Sequence, residues 1–188
     1  MRKITNTKIL LTLLAVLAGL VIIGAGCATA PTMTPPPGDD PAVQVQPQTI
    51  RLGVARLVND TDIVIRGYRF APEDSVFIRM TPAAEESFTE PDLVIADAVV
   101  DESGRFQAEV ENLVKVTDFL QADLGLNKDM EKYIIIKGPP IPTGTYRIIA
   151  ESMESGKTAA GQLEVKGPSV GDRFKDWMGG LLGKIEKK

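Results

Sequence analysis

From Ile50 onward, hydrophobic and polar residues alternate along the chain in a series of short segments. Seven segments show this alternation or a short apolar run: Ile50–Val54, Ile63–Ile65, Val76–Met80, Leu93–Val100, Phe106–Val110, Tyr146–Ala150 and Gly161–Val165. A period of two residues, bounded by Gly, Pro, Asp and Ser, is the signal of half-buried β-strands. The pattern therefore predicts an all-β domain built as an antiparallel β-sandwich.

One connection, residues 111–137, is much longer than is usual between the strands of a sandwich. Within it, four apolar residues are spaced as on one face of a helix: Leu113, Val116, Leu120 and Leu124. Thr117 or Asp118 could cap such a helix, and Tyr133–Ile136 has the composition of an additional strand. The insertion is predicted to cover an open end of the sandwich, with a functional loop as the alternative.

After a Gly-Pro pair, the spacing of the apolar residues becomes helical. Six residues follow the i, i+3, i+4, i+7, i+8, i+11 pattern of one helix face: Phe174, Trp177, Met178, Leu181, Leu182 and Ile185. Residues 168–188 are therefore predicted to form a C-terminal amphipathic helix, and these six are candidate partner- or membrane-binding residues. Three interpretations are open. The helix packs on its own domain, lies in the headgroup layer of a membrane, or docks into a groove of a partner protein.

The first 27 residues have the features of an export signal. Basic residues precede an uncharged run from Ile9 to Ile23, and small residues then lead to Cys27. This arrangement resembles the signal peptide and lipobox of bacterial lipoproteins, although Gly24 stands where that motif usually has leucine. The resemblance implies cleavage after residue 26 and acylation of Cys27. Two acyl chains would hold the protein to a membrane without further contacts.

The main alternative to cleavage is an uncleaved membrane span, because residues 9–30 are uncharged and reach the roughly 20 residues that a spanning helix needs. In either case, the rest of the chain is expected on the extracytoplasmic side of a bacterial cell envelope. Ala28, where the resemblance would associate Asp with the inner membrane, favours the outer membrane if the host has one. Residues 27–47 are rich in proline and are predicted to form a semi-rigid tether.

The strand segments carry a second resemblance. Gly67–Asp74, Asp101–Phe106 and Pro142–Tyr146, followed by a last strand that ends at Val165, occur in the order typical of immunoglobulin-like modules of the IPT/TIG type. The resemblance covers residues 48–167 and implies an immunoglobulin-like β-sandwich with a helical insertion. Within it, Phe70 is expected to plug one end of the core. Arg69 replaces a glycine common in such modules, so its turn is expected to avoid a positive φ.

The composition excludes several kinds of chemistry. The net charge is −4, and removal of a leader that carries three basic residues and no acidic ones leaves −7, which argues against nucleic-acid binding. Cys27 is the only cysteine and there is no histidine, so intramolecular disulfides, Cys/His zinc sites and the usual Ser or Cys triads are excluded. We predict no cofactor, no metal and no catalytic residue, and we do not expect an enzyme.

These observations favour a lipid-anchored envelope protein whose domain is a non-catalytic binding or assembly module. Its expected partners are the membrane, through acylated Cys27, and another envelope protein. Two other functions are open: a surface-exposed adhesin or glycan-binding lipoprotein that uses the Thr81–Leu93 loop and the insertion, and a hydrolase that uses a pair of carboxylates.

Overall fold

The computed structural model describes residues 35–83, 92–128 and 130–187, which are mostly β-structure. The strands are β1 (Ala42–Gln46), β2 (Thr49–Arg51), β3 (Val64–Tyr68), β4 (Ser75–Pro82), β5 (Leu93–Val99), β6 (Arg105–Glu109), β7 (Ala122–Leu126), β8 (Lys132–Ile136), β9 (Gly144–Ser152), β10 (Thr158–Lys166) and β11 (Ile185–Lys187). The helices are α1 (Val54–Asn59), α2 (Asn112–Val114), which continues as a π-helix over Lys115–Phe119, and α3 (Val170–Leu181). The prediction of an all-β class is confirmed.

The described strands form three sheets. β1, β3 and β6 make an antiparallel sheet in the order β1-β3-β6. The second sheet has the order β2-β10-β9-β4-β5, in which β2 is parallel to β10 and the other pairs are antiparallel. The third has the order β11-β8-β7. In β4, Val76 and Ile78 are buried while Phe77 between them is exposed, because successive side chains of a strand point to opposite faces.

The first two sheets share one hydrophobic core. Val43 and Val45 of β1 lie so close to β10 that a Cβ atom on Gly161 would stand 3.1 Å from a methyl group of Val45. Phe70 is buried, as expected, and meets the ring of Phe106 edge-on at a centroid distance of 5.1 Å. The alternating pattern of the sequence thus places the apolar side chains of both sheets in a common interior.

The turn at Arg69 differs from the expectation. Arg69 adopts a positive φ of 65°. For a residue other than glycine, this left-handed conformation is roughly 1–2 kcal/mol less favourable than the right-handed one. Its guanidinium group donates hydrogen bonds to the backbone carbonyl oxygens of Pro36 and Asp40, and its own carbonyl oxygen accepts one from Lys157. The prediction that Arg69 avoids the left-handed region is wrong, since these contacts hold the turn in that region.

The boundary of the predicted tether also needs correction. The prediction placed residues 27–47 in the tether, yet strand β1 lies within them and pairs antiparallel with β3. Val43 and Val45 are both buried, because residues two apart in a strand point to the same face. With Gln44 between them, this short stretch alternates apolar and polar residues. The domain therefore begins before residue 48. The signal segment, Cys27 and the tether as far as residue 34 lie outside the described residues.

Two segments change type relative to the sequence pattern. The strand predicted over Ile50–Val54 is β2 followed by helix α1. In the insertion, the predicted helix is short and begins at Asn112 rather than at Thr117 or Asp118, and Leu124 belongs to strand β7. Val116, Phe119 and Leu120 are buried in the core, so the insertion does cover part of the interior. The additional strand predicted at Tyr133–Ile136 is present as β8.

Candidate docking surface

Helix α3 begins at a capping box. The Ser169 hydroxyl oxygen accepts a hydrogen bond from the backbone N–H of Asp172 (3.2 Å), and the Asp172 carboxylate accepts one from the backbone N–H of Ser169 (2.8 Å). The two residues thereby satisfy N–H groups that have no partner within the first helical turn. This local pairing explains why the helix starts at Val170.

The helix ends at Leu181, earlier than predicted, and the chain then reverses. Gly183 adopts a positive φ of 69°, and the backbone N–H of Lys184 bonds to the carbonyl oxygen of Gly179 (2.8 Å). A Cβ atom on Gly179 would stand 2.7 Å from Ile185 Cδ1, so glycine leaves the room that Ile185 needs to fold back on the helix. Ile185 belongs to β11 and lies opposite Ile134 of β8. The prediction that it continues the apolar stripe of the helix, within a helix reaching residue 188, is wrong.

An acidic side chain in the middle of α3 attaches the helix to the domain. The Asp176 carboxylate accepts hydrogen bonds from the backbone N–H groups of Val54 (3.0 Å) and Ala55 (2.9 Å), the first two residues of α1. Gly53, the N-cap residue of α1, has no side chain that could supply these bonds. Asp176 therefore caps α1 from another helix.

A second carboxylate, that of Asp172, is buried beside the first contact. A Cβ atom on Gly53 would stand 2.6 Å from Asp172 Cβ, so the two segments touch at a glycine. Burial raises the pKa of Asp172, but its hydrogen bonds with Ser169 and the charge of Arg56, 3.6 Å away, outweigh burial and hold the pKa below its usual value. The ionised carboxylate is thus stabilised between α3 and α1.

The opposite side of α3, together with its C-cap residue Leu182, carries large apolar side chains that face outward. We call these five residues the α3 apolar face: Phe174, Trp177, Met178, Leu181 and Leu182. Each is between 42% and 68% exposed. The rings of Phe174 and Trp177 are stacked at a tilt, with centroids 5.7 Å apart. Exposed apolar patches of this kind on a folded domain mark binding surfaces.

Basic side chains lie at the borders of this face. At about 100° per residue around a helix, Arg173 and Lys175 fall on opposite borders of the apolar stripe. Lys175 pairs with Asp60 at 2.9 Å, and both side chains are more than half exposed. The acidic residues of the helix, Asp172 and Asp176, point to the domain instead. The charge that α3 presents to its surroundings is therefore basic.

A cleft of about 690 Å³ adjoins the α3 apolar face. Trp177, Leu181 and Ile185 line it together with Ile136 of β8, and Arg173 contributes a charged group. The apolar surface of the helix thus continues into a concave region next to the third sheet.

Five of the six residues predicted for this site form the α3 apolar face, whereas Ile185 lies in β11 and lines the adjoining cleft with Trp177 and Leu181. Cys27, the predicted lipidation site, lies outside the described residues. The sequence pattern missed Gly53, Asp172 and Asp176, which orient the helix. Only the Ser169–Asp172 pair had a readable signal, since Ser followed three residues later by an acidic residue indicates a capping box.

Among the described residues there is no group of three or more His, Cys, Asp or Glu side chains that could hold a metal ion. None of the described helices is long and apolar enough to cross a bilayer. An exposed charge cluster on the second sheet joins Arg79 to Asp92 (2.9 Å) and Glu151 (2.5 Å). Most of the Thr81–Leu93 loop lies outside the described residues.

No protein-family model and no curated protein matches the chain. Solved structures with some similarity include a beta-glucosidase from Listeria innocua in complex with glucose, which is 9% identical at a TM-score of 0.34 over 68% of this chain and 16% of that one. A beta-D-glucoside glucohydrolase from Trichoderma reesei is 12% identical at 0.34 over 66% and 18%, and macromomycin is 16% identical at 0.31 over 66% and 98%. The chain spans less than a fifth of the two glucosidases. Similarity at this level carries no argument about function.

Proposed function

We propose that the chain is a lipid-anchored protein of a bacterial cell envelope whose β-domain is a non-catalytic docking module. The anchor in this proposal comes from the sequence, in which an export signal leads to Cys27. The domain would correspond to the immunoglobulin-like module that the sequence resembles. Two sheets with a common core are compatible with that architecture. The docking surface is the α3 apolar face.

The orientation of α3 is the observation that carries this proposal. An amphipathic helix that serves only its own domain turns its apolar side inward, because burial of one large apolar side chain contributes about 1.5–3 kcal/mol. Here Asp172 and Asp176 occupy the inward side, while Leu181 and Leu182 are more than half exposed. The apolar surface is thus available for contact with another envelope component.

The proposal is tested by replacing Leu182 with a photo-crosslinking amino acid in cells that make the full chain. We expect an adduct after illumination, because the side chain at this position would lie within a contact. The same replacement at Val99, which is 69% exposed on β5, is the matched control and should give little or no adduct. Equal labelling at both positions, or no labelling at Leu182, would contradict the proposal that the α3 apolar face is a docking surface.

The anchor is tested separately by mass spectrometry of the N-terminus of the protein isolated from membranes. We expect a chain that begins at Cys27 and carries acyl chains on that residue. A bare thiol with residues 1–26 still attached would contradict the lipid anchor and would favour an uncleaved membrane span instead.

A further inference from the structure

We propose that the α3 apolar face lies in the headgroup layer of an anionic membrane, with the axis of α3 parallel to the bilayer. This inference rests on the proposed function and names the component on which the module docks.

The first support is the chemistry of the exposed side chains. The face combines the stacked pair Phe174 and Trp177 with Leu181 and Leu182, which follow about one turn after Trp177. Helices that lie in a membrane interface carry Trp, Phe and Leu on one side and bury this side about 5–10 Å into the headgroup and acyl boundary. The inward half of α3 is occupied by its contacts with α1, so only such shallow contact is open to it.

The second support is the placement of charge. Arg173 and Lys175 border the apolar face on its two sides, and Lys184 follows in the turn after the helix. Two exposed acidic residues lie nearby, Glu186 and Asp60, the latter paired with Lys175 at 2.9 Å. Asp172 and Asp176 are engaged with the domain, so three basic groups stand against two acidic ones. This local excess of basic groups contrasts with a chain of net charge −4. Anionic lipid headgroups are the complementary surface, since each Lys or Arg near them strengthens binding by roughly fivefold.

The third support is the distance available between anchor and domain. Residues 28–41 separate Cys27 from the start of β1. A segment of 14 residues spans at most roughly 50 Å when fully extended, because the chain advances no more than about 3.6 Å per residue. An anchored domain is therefore confined near the bilayer, where the effective concentration of lipid at the face is high.

Trp177 is the only tryptophan of the chain, so its fluorescence reports on this face alone. The full chain is reconstituted into vesicles of equimolar phosphatidylcholine and phosphatidylglycerol, and into vesicles of phosphatidylcholine only. In the anionic vesicles we expect a blue-shifted emission that brominated acyl chains quench. In phosphatidylcholine alone, quenching should be weak.

Two sets of variants sharpen this test while retaining Trp177. Leu181→Gln should reduce the ratio of quenched to unquenched protein by at least about tenfold, whereas Val99→Gln, at a residue of equal exposure on β5, should leave it unchanged. The double variant Arg173→Gln, Lys175→Gln should lower it by roughly 30-fold in anionic vesicles only. Thermal unfolding of each variant shows whether the fold is intact.

The possible outcomes separate this inference from the proposed function. Quenching that is equal in both kinds of vesicle overturns the anionic preference. An unquenched Trp177, together with a crosslink from Leu182 to a protein or to a second copy of the chain, overturns the membrane contact and leaves the docking module standing. An unquenched Trp177 without any crosslink overturns both.

Discussion

The two-sheet body and helix α3 distribute most of their apolar and charged side chains in opposite ways. In the body, Ile148 and Leu163 are fully buried and Asp97 is exposed. In α3, Leu181 is exposed while Asp172 and Asp176 face the interior. The body is therefore stabilised by removal of apolar surface from water, whereas hydrogen bonds to carboxylates orient α3. A helix held in this way keeps its apolar face for an external contact.

The largest effect should come from a matched pair of Leu→Ala substitutions, one in each region. Leu163→Ala removes a side chain that is 0% exposed and should lower the free energy of unfolding by about 2–5 kcal/mol. Leu181→Ala, at a residue that is 68% exposed, should change it by no more than about 0.5 kcal/mol. Urea unfolding followed by circular dichroism measures both. Similar losses of unfolding free energy for the two variants would show that Leu181 is packed as tightly as Leu163, contrary to the difference between the two regions.

An intermediate effect should follow from removal of the carboxylate that caps α1. Asp176→Ala leaves the backbone N–H groups of Val54 and Ala55 without their partner, and loss of a cap destabilises by about 0.5–2 kcal/mol. Hydrogen exchange should also show faster exchange of amides in α3 and α1. Asp97→Ala, on the exposed face of β5, is the control and should be near neutral. Unchanged exchange in α3 would show that Asp176 does not hold the helix.

The smallest effect should be an acid-dependent loss of stability to which both regions contribute. Burial raises the pKa of Asp74 in the body, but hydrogen bonds from the backbone and hydroxyl groups of Ser155 and the backbone of Glu154 outweigh it and lower the pKa to about 2, against an ordinary value of 3.8. The pKa of Asp172 is lowered as well. Because the pKa values of these groups are lower in the folded state, their ionisation stabilises the folded protein. The contribution is complete above the unfolded-state pKa, at about pH 4. This stabilisation is lost as the pH falls toward 2.

Thermal unfolding between about pH 5 and pH 2 tests this expectation. Asp74→Asn and Asp172→Asn should each be less stable than the parent at pH 5 and should lose less stability on acidification. A variant whose melting temperature falls with pH as steeply as that of the parent would show that the replaced carboxylate does not contribute.

Much of the β-structure could be predicted because strand signals are local. In Val76–Met80 and Phe106–Val110, the alternation of apolar and polar residues is sufficient to predict a strand, and the structure has β4 and β6 there. The sequence pattern does not predict strand β1, because its two buried valines lie next to a proline-rich stretch. The proline content of that stretch indicates a tether more strongly than two alternating valines indicate a strand. Leu124 and Ile185 were assigned to helices by spacing alone, whereas pairing with β8 places both in strands.

For the candidate surface, local periodicity was enough to establish that a C-terminal helix would have one apolar side and one charged side. Which side faces the domain depends on partners distant in the chain: Asp176 meets the backbone of Val54 and Ala55 more than 120 residues away. Helical spacing records only where side chains lie around the axis. The unsatisfied N–H groups of α1, and the space left at Gly53, exist only once the chain has folded.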